Sequence, residues 1–112
     1  MSKLGENRNL VRRLYEEVFS AGRLEVADEI LTEDYVNHDP PPGAGRTRAD
    51  VKGIAAGFRE RIPGFRAQID RIAAEGDLVA VQGVISGSAG APEIKLGEFF
   101  RIENGRIAER WG

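Results

Sequence analysis

The chain has 112 residues, 41% of them apolar and 30% charged, and it contains no Cys. That length fits one domain, 1–112, and lets roughly two-thirds of the unfolded surface leave water, enough for a core and one small pocket. The missing Cys excludes a disulfide scaffold, a thiolate metal site and a Cys nucleophile. A metal site built on the single His would need several carboxylates, and none cluster at ligand spacing, so no metal is expected. Residues 1–56 hold 8 basic and 10 acidic side chains, and residues 57–112 hold 8 and 8. Neither half offers the one-signed field that a phosphate backbone selects, so no nucleic-acid partner is expected. A membrane is equally poor as a partner. No apolar run approaches the roughly 18 residues of a membrane span, and Met1–Glu6 lacks a secretory leader's apolar stretch, a pattern that fits a cytoplasmic protein.

From Asn7 to Ser20 the apolar residues Leu10, Val11, Leu14, Val18 and Phe19 recur at helical spacing, with Arg12, Arg13, Glu16 and Glu17 on the opposite side. Gly22 is placed to end this helix, and Leu24 to Leu31 suggest a second, shorter one. Tyr35 to His38 reads as a short extended piece stopped by Asp39-Pro40, because a residue before Pro is pushed away from helical geometry. Thr47 is placed to cap a third helix with the stripe Val51, Ile54, Ala55, Phe58 and Ile62, closed by Pro63-Gly64. The period then turns strand-like. Phe65–Ala74, Leu78–Ser86, Ile94–Ile102 and Arg106–Trp111 read as four strands, joined by the turn sequences Glu75-Gly76-Asp77 and Glu103-Asn104-Gly105. Helices followed by a meander predict an α+β domain whose N-terminal helices pack on a curved antiparallel sheet, with a pocket between them.

Several strings lie in a telling order along this frame: Asn9-Leu10-Val11-Arg12-Arg13-Leu14-Tyr15 leading to Phe19-Ser20-Ala21-Gly22, then Asp34 to Pro40, Gly76 to Val81, and Phe100 to Trp111. Over nearly its whole length the chain thereby resembles the SnoaL-like polyketide cyclases of the nuclear transport factor 2-like superfamily. The resemblance implies a cone-shaped, cystatin-like α+β barrel, a homodimer through the outer face of the sheet, and a pocket for a small apolar or carbonyl-containing molecule. It also implies ring closure or isomerisation without a cofactor, through proton abstraction next to a carbonyl. Fold alone does not choose among the superfamily's activities, which include lyases, isomerases, hydrolases and non-catalytic binders. The family's acid–base Asp falls on Gly112, and a pocket His two residues earlier falls on Arg110. These departures favour the alternative of a non-catalytic ligand-binding or dimeric assembly domain.

The residues themselves nominate a site. His38 is the one side chain whose ordinary pKa lies near neutrality, and it is either a proton-transfer group or a tie between the Pro loop and the helices. Alternation puts Leu96, Glu98 and Phe100 on one face of their strand. If that face lines the pocket, Glu98 is a carboxylate in apolar surroundings, where desolvation strengthens a base; otherwise it is an exposed outer residue. His38 and Glu98 are thus the candidate catalytic pair. Arg110 and Trp111 point to opposite faces of a regular strand, so Arg110 either pairs with Glu98 or holds a substrate oxyanion, and Trp111 joins the core or a dimer interface. Tyr35, Gln82, Phe100 and Arg110 are the candidate substrate-binding residues. Asp39 reads as a turn residue bonding nearby backbone N–H groups.

Overall fold

The computed structural model of the protein describes residues 2–112. Ser2 caps helix α1 (Lys3–Arg13) by accepting from the Gly5 N–H at 3.1 Å, so the helix starts earlier than its apolar stripe. At Leu14 the helix widens into a π-helical segment, Leu14–Ser20, in which the Ala21 N–H bonds the Glu16 carbonyl five residues back. Leu14, Tyr15 and Val18 of this segment are buried and continue the face that Val11 opens. After Gly22 (φ 74°) comes the short α2 (Val26–Ile30), which runs straight into β1 (Leu31–Asn37). Helix α3 (Arg48–Arg61) starts at Thr47 with a complete capping box, in which the Thr47 side chain and the Asp50 carboxylate each bond the other's backbone N–H.

Four strands follow as the alternation predicts: β2 (Arg66–Glu75), β3 (Leu78–Ser86), β4 (Ile94–Glu103) and β5 (Arg106–Trp111). They pair in sequence as antiparallel neighbours. The β4–β5 hairpin turns on Asn104 (φ 49°) and Gly105 (φ 76°), the left-handed pair that a two-residue turn of matching twist requires. The sheet order is β1-β5-β4-β3-β2, and β1 lies parallel to β5, with Asn37 opposite Arg110. The sheet is therefore mixed, not wholly antiparallel, because the connection from β1 to the meander passes through a helix and not a hairpin. Its edge strands β1 and β2 do not pair with each other, so the sheet is curved but does not close into a barrel.

The core lies between the concave face and the helices; Phe100, Ile30, Leu31, Ile107, Val11, Val18 and Val79 are its largest fully buried members. In β5 an irregularity falls between the Ile102–Ile107 and Arg101–Glu109 pairs, and it leaves Ala108 as an extra residue. A regular strand would send Ile107 and Arg110, three apart, to opposite faces. The bulge brings both to the concave side, Ile107 opposite Ile102 and Arg110 opposite Phe100. On the convex side Phe99 stands opposite Trp111 and is 55% exposed.

Candidate active site

A cavity of about 200 Å³ opens between the concave face of the sheet and the helices. Its walls are largely apolar, with Leu14 and Phe19 from the π-helical segment, Val51, Ile54 and Phe58 from α3, and Leu96 and Phe100 from β4. Polar groups gather on one side: Glu98, Arg110, Tyr15, Tyr35, Asn37 and Asp39. Glu98, though charged, is buried. One of its oxygens accepts from the Tyr15 hydroxyl, and the other accepts from Arg110 Nε at 2.5 Å. Burial pushes the Tyr15 phenol far above the ordinary tyrosine range, with the neighbouring Glu98 charge and hydrogen bond adding to the shift, so it remains the donor. Tyr15 reaches Glu98 across Gly83, where a Cβ would stand 2.6 Å from its hydroxyl oxygen.

Arg110 is held on a second side as well. Its Nη1 donates to Asn37 Oδ1 at 3.0 Å and to the Asp39 carbonyl at 2.8 Å. The remaining nitrogen, Nη2, has no protein acceptor among the described residues. Asn37 Oδ1 also accepts from the Asp39 N–H at 3.0 Å, which fixes the amide so that its NH₂ stays unpaired beside the cavity. The Tyr35 hydroxyl likewise has no protein partner among the described residues, and burial pushes its pKa well up. Three donors of these lining residues are therefore left without a protein acceptor among the described residues: Arg110 Nη2, which lies beside Gly112, the Asn37 amide and the Tyr35 hydroxyl. Asp39 does not bond its local backbone; that part is played by Asn37. One Asp39 carboxylate oxygen instead accepts from the Gly112 N–H at 2.9 Å.

Of the candidate residues, Glu98, Arg110, Tyr35 and Phe100 come together at this cavity. His38 and Gln82 do not. Strand alternation turns His38 away from Asn37 to the convex side, where its Nε2 lies 2.7 Å from Glu109 Oε2 and its ring stacks on Trp111 at 5.1 Å. Gln82 falls between the inward Val81 and Gly83, is exposed, and accepts from Arg71 at 2.8 Å. The structure thus separates His38 from Glu98 instead of pairing them. Tyr15, Asn37 and Asp39 join the site without having been nominated from sequence. Asn37 carried a signal, since it sits two residues from the inward Tyr35 on the same strand. Tyr15 carried one as well, since it stands four residues after Val11 in the row Val11, Leu14, Tyr15, Val18 that one helix face buries.

A helix-on-curved-sheet fold with a polar cluster at the floor of an apolar chamber is the architecture of nuclear transport factor 2-like proteins. The SnoaL-like domain family matches residues 11–110, and the chain belongs to that family. No curated protein matches the chain significantly. Among solved structures, IdmH from Streptomyces antibioticus, described as a candidate polyketide cyclase, is 30% identical, with a TM-score of 0.79 over 94% of this chain and 88% of that one. A candidate polyketide cyclase from Bacillus cereus is 22% identical, with a TM-score of 0.87 over 95% of this chain and 72% of that one. A Mycobacterium tuberculosis epoxide hydrolase is 18% identical, with a TM-score of 0.73 over 97% and 82%. The last two share the fold.

Proposed function

We propose that the protein binds a small, largely apolar carbonyl compound in this cavity and promotes proton transfer at the carbon beside the carbonyl, as a cyclase or isomerase without a cofactor. The description of IdmH as a candidate polyketide cyclase supports this reading. The observation that carries it is Arg110: a guanidinium fixed by Glu98, Asn37 and Asp39 at the wall of an apolar chamber, with Nη2 left without a protein acceptor. A carbonyl oxygen seated there meets a donor that is already oriented. The interaction strengthens as negative charge moves onto that oxygen, which is the condition for lowering a barrier and not merely binding. Tyr35 and Asn37 add donors on the same side. Glu98 is the anchor of Arg110 in this scheme, because both of its oxygens are engaged.

The test is solvent deuterium uptake by 2-tetralone and ethyl benzoylacetate, followed by NMR with catalytic amounts of protein. The wild type is expected to accelerate uptake. Replacing Arg110 removes a charge-stabilising donor and is expected to slow uptake by about 10²-fold or more. Arg110→Met should be made together with Glu98→Gln, so that no buried charge is left alone. Binding of both ketones with no acceleration would instead support a ligand-binding protein, the function suggested by Gly112 standing where the family resemblance expects an acid–base Asp.

A further inference from the structure

The last residues of β1 and β5 grip each other on both faces of the sheet. On the concave face Arg110 Nη1 donates to Asn37 Oδ1 at 3.0 Å and to the Asp39 carbonyl at 2.8 Å. On the convex face His38, which stands between those two partners in the chain, places its Nε2 2.7 Å from Glu109 Oε2 and stacks its ring on Trp111 at 5.1 Å. The His38 N–H joins the two faces by donating to the Arg110 carbonyl at 2.9 Å. β1 is an edge strand, and its parallel pairing with β5 is interrupted after Leu31 and resumes only at Val36 and Asn37, so side chains carry much of this junction. We propose that His38 is a positioning residue: from behind the sheet it fixes Asn37 and Asp39 against Arg110, and it does so more firmly when its imidazole is protonated. The inference rests on the function proposed above, in which Arg110 receives the substrate oxygen.

The reason is electrostatic. Hydrogen bonds from His38 and Arg101 hold the Glu109 carboxyl below its ordinary range, so it is an anion throughout the interval, about pH 5 to 8, in which histidines exchange their proton. An imidazolium facing that anion adds a Coulombic attraction that the neutral ring lacks. The other charges of the cluster are constant over this interval. Arg101 Nε donates to the second Glu109 oxygen at 2.5 Å, Glu103 lies 3.6 Å from Arg101 Nη1, and Arg46 Nη1 donates to the His38 carbonyl at 3.0 Å. His38 is the one member whose ordinary pKa lies near neutrality. Protonation on the convex face therefore tightens the hold on Arg110 at the cavity wall, and the coupling is reciprocal: a ketone seated on Arg110 favours protonated His38 by the same factor.

The chain has a single His, so its ring C–H resonances report the protonation of His38 without ambiguity. The first measurement is their pH midpoint by NMR in the wild type, with and without saturating 2-tetralone. The expected result is an upward move of about 0.7 units, the equivalent of fivefold coupling. The second is deuterium uptake by 2-tetralone and ethyl benzoylacetate in the wild type, His38→Gln and Glu109→Gln. Gln at position 38 keeps a neutral donor and stands for the uncharged ring, while Gln at position 109 removes the anion. The ratio of wild-type to variant uptake should rise about fivefold for each as pH falls from about 8.5 to about 5.5. A ratio that stays level over this range makes His38 a structural prop and overturns the inference, leaving the proposed function standing. A midpoint that the ketone leaves in place also overturns it, and this reading decides alone if the variants fail to fold. No uptake by the wild type with either ketone overturns the proposed function, whereas a midpoint still moved by 2-tetralone would then support His38 as a positioning residue for binding.

Discussion

Both oxygens of Glu98 are occupied, one by the Tyr15 hydroxyl and one by Arg110 Nε, so three residues from the first helix, β4 and β5 are bound into one polar unit. The side chains of Arg110 and Glu98 are only 17% and 9% exposed. Removing one member of such a pair strands the other, which costs about 3 kcal/mol or more, whereas replacing both by groups of similar shape costs less. Urea denaturation of Arg110→Met, Glu98→Gln and the double variant should therefore give a double-mutant loss clearly smaller than the sum of the singles. Tyr15→Phe removes a hydrogen bond to a charged acceptor and should lower stability by about 1.5–3 kcal/mol. A strictly additive cycle would mean that Arg110 and Glu98 do not act as a unit.

Among the elements, α3 supplies the ceiling of the cavity, and its position depends on a local signal. The Thr47–Asp50 capping box satisfies N–H groups that the helix cannot satisfy itself. Thr47→Ala should cost about 1 kcal/mol in urea denaturation, with little effect on ketone binding because neither residue touches the cavity. Features of this kind were legible in the sequence because they are local: the Thr47 cap, the Asn104-Gly105 turn, and the strand alternation that put Leu96, Glu98 and Phe100 on one face. Features set by distant partners were not. The pairing of β1 with β5 depends on which edge of the meander is free. The β5 bulge depends on Ile107 filling the core while Arg110 is drawn to Glu98. His38 looked like a site residue from its chemistry, but alternation from the inward Tyr35 and Asn37 assigns it to the opposite face.

For the molecule as a whole, the two tyrosines are the only ones in the chain, and burial pushes both phenols above their ordinary range. A group whose folded pKa is raised contributes stability that is present below its unfolded value, near 10, and is lost as pH climbs beyond it. Stability should therefore hold through neutral and mildly alkaline pH and fall above about 10, with the tyrosinate absorbance appearing together with the loss of structure by circular dichroism. Tyrosinate forming in the intact fold near pH 10 would contradict the buried placement of Tyr15 and Tyr35. The chamber also depends on a missing group of atoms. Gly83 gives Tyr15 the room to lie across β3, and a methyl there would meet both its ring and its hydroxyl. Gly83→Ala is expected to displace the phenol and leave one Glu98 oxygen without its Tyr15 partner. The absence of one methyl group on β3 thus governs the polar side of the chamber.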